Sequence, residues 1–83
     1  MNIKDIKQKL REFFFVSPMK KIRVRSLARE LVLPLPSVIR YVKELEAEGF
    51  IKKTVIGGVT FFSADRVSKV FLLEKRLFNI RSL

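Results

Sequence analysis

The chain predicts a small, mainly helical α+β domain whose elements run helix, short strand, helix, helix, strand, strand, helix. Three observations carry that prediction. Apolar residues recur at spacings of three and four in several separate segments. Gly57-Gly58 sits between two runs of β-branched and aromatic residues, a hairpin signal. With 83 residues the chain makes one domain, of a size that buries roughly 60% of its unfolded surface.

The elements follow in order. A first helix is expected over 2–16, where Ile3, Ile6, Leu10, Phe13 and Phe14 form an apolar face and Lys4, Lys7, Lys9 and Arg11 occupy the rest. Ser17-Pro18 ends it, because the residue before proline is pushed out of helical backbone. In "KKIRV", Ile22 and Val24 alternate with charged neighbours, so a short strand is expected at 22–24. "RSLARELVL" (25–33) reads as a second helix with Leu27, Ala28 and Leu31 inward. Pro34 is expected to end that helix and Pro36 to open the third, 36–48. There Val38, Tyr41, Val42 and Leu45 repeat with helical spacing, and Gly49 supplies the left-handed residue that closes it. A hairpin over 50–63 puts Ile56 opposite Val59, Thr54 opposite Phe61 and Lys53 opposite Phe62. A last helix, 65–80, carries Val67, Val70, Phe71, Leu77 and Phe78 on one face, with Leu72, Leu73 and Ile80 spreading the apolar surface further.

Composition narrows the function. Eighteen Lys and Arg against eight Asp and Glu give a net charge of +10, which favours polyanionic partners. Cysteine and histidine are both absent, so disulfides, thiolate or imidazole metal sites and the commonest general base are excluded. The chain has no glycine-rich phosphate loop and no pair of carboxylates on one plausible cleft wall. It therefore reads as a non-enzyme without cofactor or metal. Charge and apolar residues mix from Met1 to Leu10, unlike a leader, and no stretch approaches the ~20 apolar residues of a membrane span. A cytoplasmic protein without a membrane partner is expected; the apolar residues of the basic first helix are needed for the core.

The segment "VRSLARELVLPLPSVIRYVKELEAEGFIKK" resembles the core of winged helix-turn-helix proteins of the broad MarR/ArsR type. The matching pattern is a short "LAREL" helix, a tight turn, a helix "SVIRYVKELEAEGFI" and a hairpin wing, and it covers residues 20–63. The resemblance implies a winged helix-turn-helix that binds double-stranded DNA sequence-specifically as a transcriptional regulator, with 36–48 as recognition helix in the major groove. It assigns a backbone phosphate contact to Ser37 and groove reading to Arg40, with Lys43 one turn later on roughly the same face. Ile39 either touches a thymine methyl or belongs to the core. Arg23, Arg25 and Arg29 are expected at phosphates. The competing readings are a solvated Arg40, a Lys43 paired with Glu44, Glu46 or Glu48, and arginines that are ordinary surface charge.

The departures from the pattern are local. The wing tip "VIGGVT" is uncharged, with Lys52 and Lys53 at its base; Val32 stands where the family usually has glycine, and Pro34 where a serine cap is common. Ligands for the metal sensing found in part of the ArsR family are missing. Small winged-helix proteins commonly dimerise through terminal helices, so Phe14, Phe15, Leu72, Leu73 and Phe78 are expected at a homodimer or partner interface. Finally, "FFSADRVSKVFLLEKRLFNI" is similar to the end of small archaeal winged-helix modules that accompany nucleotidyltransferases. That similarity implies the alternative, a protein-interaction or RNA-binding module docking such a partner through its last helix.

Overall fold

A computed structural model describes residues 3–82, with side chains from residue 6 to residue 80. Along it run α1 (Ile3–Val16), α2 (Val24–Leu31), α3 (Leu35–Ala47), β1 (Ile51–Ile56), β2 (Val59–Ala64) and α4 (Lys69–Ser82). The domain is α+β: four helices and a two-stranded antiparallel hairpin. Among the described residues no helix is long and apolar enough to cross a membrane.

Helix α1 places Ile6, Leu10, Phe14 and Phe15 in the core, each side chain stabilising the fold by about 1.5–3 kcal/mol. Its expected start at residue 2 lies outside the described residues. Phe14 and Phe15, expected at a subunit interface, are instead core residues of a single chain. Phe15 meets the rings of Phe50, Phe71 and Phe78 at 5.0–5.6 Å between centroids. Phe14 meets Phe13 edge-on at 5.2 Å, and Phe13 is only partly buried.

The strand expected at 22–24 is a single bridge. Ile22 exchanges both backbone hydrogen bonds with Phe62, at 2.9 and 2.8 Å, and pairs antiparallel to it. Arg23 is already the residue capping α2, and Val24 is its first helical residue. The pairing fastens the hairpin to the chain between α1 and α2.

The corner between α2 and α3 also differs from expectation. Helix α2 stops at Leu31 rather than residue 33. Val32 adopts the left-handed conformation (φ 55, ψ 52), and the Leu33 N–H reaches back to the Ala28 carbonyl at 2.9 Å. This is a Schellman ending, in which Leu33 turns inward and is buried. Pro34 therefore does not end α2; it is the N-cap of α3, and Leu35, not Pro36, is the first helical residue. Pro34 and Pro36 lack N–H groups, so two of the donors a helix start normally leaves unpaired are absent. No side chain caps α3.

Helix α3 ends by the same device with the usual residue. Gly49 is left-handed (φ 79), the Phe50 N–H bonds to the Leu45 carbonyl at 2.9 Å, and Phe50 is fully buried. From Phe50 the chain enters β1, and the expected register holds: Ile56 faces Val59, Thr54 faces Phe61 and Lys53 faces Phe62. Gly57 and Gly58 both have positive φ, as a two-residue primed turn requires. Helix α4 starts at Lys69 rather than residue 65. Residues 65–68 form a turn closed by the Ser68 N–H on the Asp65 carbonyl, and the Ser68 hydroxyl accepts from the Phe71 N–H at 3.5 Å.

Candidate nucleic-acid interface

Helix α3 buries Val38, Tyr41, Val42 and Leu45. Helical geometry then puts Pro36, Arg40, Lys43 and Ala47, spaced by four, three and four, along the opposite face, and all four are exposed. Ser37 and Ile39 lie half-buried on the flanks of that stripe. Ile39 is thus neither a core residue nor fully presented.

The acidic side of α3 turns toward α1. Lys7 Nζ donates to Glu48 Oε2 at 2.7 Å and to Glu44 Oε1 at 3.2 Å. Arg11 lies 3.7 Å from Glu48 and bridges on to Glu74 of α4 at 3.5 Å. The hydrogen bond to Glu48 is the main reason the Lys7 ammonium is held above its ordinary pKa of 10.5, with Glu44 adding to it and partial burial opposing. Two of the three glutamates at the end of α3 and its cap, Glu44 and Glu48, are therefore paired from within the molecule. Among the described residues Lys43 forms no ion pair with its glutamate neighbours.

Arg40 is held only loosely. Its Nε is 3.7 Å from Glu44 Oε2, beyond hydrogen-bond length, its side chain is 70% exposed, and its guanidinium lies over the Tyr41 ring at 5.6 Å. A pair this open stabilises by ~1 kcal/mol at most, so it does not hold the guanidinium back from a ligand.

Arg23, Arg25 and Arg29 are exposed. Arg25 and Arg29, one turn apart, line a shallow hollow together with Val32, Leu33, Pro34 and Leu35. That hollow brings α2's cations to the start of α3. Lys52 and Lys53 are exposed on β1, but successive strand residues point to opposite faces, so they cannot act as one pair. The hairpin tip carries two exposed apolar side chains, Val55 and Ile56, and no charge.

Leu72 and Leu73, expected at an interface, are exposed on α4, while Phe78 packs partly against the core. One feature escaped the sequence reading. The clamp of Lys7 and Arg11 on α3 joins residues far apart in sequence, and only the excess of acids at one end of α3 hinted at it. Exposed leucines on α4 were expected; Val70 and Leu77, expected on one face with Phe71 and Phe78, are exposed as well.

No protein-family model, curated protein or solved structure matches the chain.

Proposed function

We propose that this domain is a winged helix-turn-helix that binds double-stranded DNA as a transcriptional regulator, laying α3 in the major groove. The observation that carries the reading is the exposed stripe of α3: Arg40 and Lys43 stand outward, while Glu44 and Glu48 are tied to α1 by Lys7 and Arg11. A helix face with cations presented and acids drawn aside suits a groove walled by phosphates. In this arrangement Arg40 and Lys43 reach base edges and Ile39 meets a thymine methyl at the flank. Ser37, Arg25 and Arg29 hold phosphates at the corner, Arg23 extends that contact, and one of Lys52 and Lys53 reaches the backbone from the wing.

The test is binding of a labelled random duplex and of genomic fragments over a salt series. Affinity should fall steeply with salt, with a slope of roughly 0.9 per phosphate neutralised. On a selected site Arg40→Ala should cost about 1–3 kcal/mol and relax preference at one base position, whereas Arg25→Ala should weaken all sequences alike. Failure to bind any duplex at low salt overturns the proposal.

A further inference from the structure

Helix α4 is apolar on two sides. Phe71 and Phe78 face inward on Phe15, and Glu74 lies beside them paired with Arg11. On the outer side Val70, Leu73, Leu77 and Ile80 follow one another at spacings of three, four and three, and they are 40, 61, 54 and 61% exposed. That spacing is one continuous seam over about three turns of helix, the pattern by which one helix seats another. Hollows flank it. One, between α1 and α4, is lined by Gln8, Arg11, Glu12, Phe15, Glu74, Leu77 and Phe78, its acids standing beside Arg11. The other is lined by Leu72, Lys75, Arg76, Asn79 and Ile80.

Charge selects the occupant. Lys69 and Arg76, seven residues apart, border the seam on one side, and among the described residues neither is in an ion pair. The one acid of the helix, Glu74, is already engaged by Arg11. A second copy laid antiparallel would set Lys69 and Arg76 against their own equivalents, and +10 against +10. We infer that the outer seam of α4 is a docking site for an amphipathic helix of a different protein, one with Asp or Glu beside its apolar stripe. The site is separate from the exposed stripe of α3 and does not depend on the DNA reading.

The probe is a labelled four-turn helical peptide with leucines at seam spacing and glutamates beside them, titrated with the full chain. Two control peptides replace the glutamates by lysines, or the leucines by serines. The acidic amphipathic peptide should bind and both controls should not. Leu73→Ala with Leu77→Ala should weaken binding about tenfold or more, while thermal unfolding barely moves because both side chains are exposed. Lys69→Glu with Arg76→Glu should reverse the choice, so that the lysine-bearing peptide binds. Equal binding of the serine peptide, no effect of the leucine variants, or no reversal overturns the assignment. So does sedimentation showing self-association lost in the leucine variants, which makes a second copy the occupant. Stronger binding to phosphatidylserine vesicles than to the peptide likewise overturns it in favour of a lipid surface. None of these readouts involves DNA, so loss of the nucleic-acid reading leaves this one standing.

Discussion

Helices α1 and α4 have the same length, 14 residues each, and meet at Phe15 of α1, yet the fold uses them in opposite ways. In α1 the rest of the fold packs on more than one side, and Ile6, Leu10, Phe14 and Phe15 are all buried. In α4 the apolar residues run round the helix, and only Phe71 is buried, with Phe78 partly so. The cations differ in the same sense: Lys7 and Arg11 of α1 are tied to Glu44, Glu48 and Glu74, while Lys69 and Arg76 are exposed. Apolar content alone therefore says little about burial. How many sides of a helix the rest of the fold covers decides how much of it is structural.

The largest expected effect lies on the α1 side. Phe14→Ala removes a fully buried ring and should destabilise the domain by about 3–5 kcal/mol in chemical denaturation. Next comes hydrogen exchange: α4 amides should exchange through local opening at least about tenfold faster than those of the middle of α1, because one buried ring holds α4 down. Equal protection would erase the contrast between the two helices.

A smaller effect is expected at the clamp. Lys7→Met should cost about 0.5–1 kcal/mol near neutral pH. The Lys7 pKa is raised in the folded state, so its contribution is fully present below the ordinary value of 10.5 and is lost as pH rises through the higher folded value. The stability gap between parent and variant should therefore close only in strong alkali. The smallest effect belongs to the outer seam: Leu73→Ser should change stability by no more than about 0.5 kcal/mol. A loss of several kcal/mol there would mean that α4 is as structural as α1.

What could be read from sequence follows the range of the forces involved. The core face of α3 and the hairpin register were legible because helical spacing and a Gly-Gly turn are local signals. The end of α2 was not, since Val32 takes a left-handed conformation that costs a β-branched residue roughly 1–2 kcal/mol and runs against its propensity. Leu33 looked helical because it is apolar, but it points inward as the residue after the turn. The strand at 22–24 reduced to Ile22 because its pairing depends on Phe62, which no local pattern announces. Phe14 and Phe15 were misplaced because α1 packs on more than one side: Phe15 fills the aromatic cluster with Phe50 and Phe71. Of the site, the positions of Arg40 and Lys43 on the outer face were legible from periodicity. That Arg40 keeps only a loose pair with Glu44 was not, because Glu44 and Glu48 are held from α1 by Lys7 and Arg11.

The bridge from Ile22 to Phe62 covers the free side of β2 at one point, and within the described residues β1 has no strand on its outer side. That leaves β1 an open edge, the kind of backbone that recruits a strand from another molecule. Lys52 and Lys53 sit on it, one to each face, where an approaching strand would have to bury their charge. Their charge should therefore oppose edge-to-edge pairing. Neutralising them should lower solubility, so a weakened-binding result from such a variant has meaning only beside a light-scattering trace that stays flat.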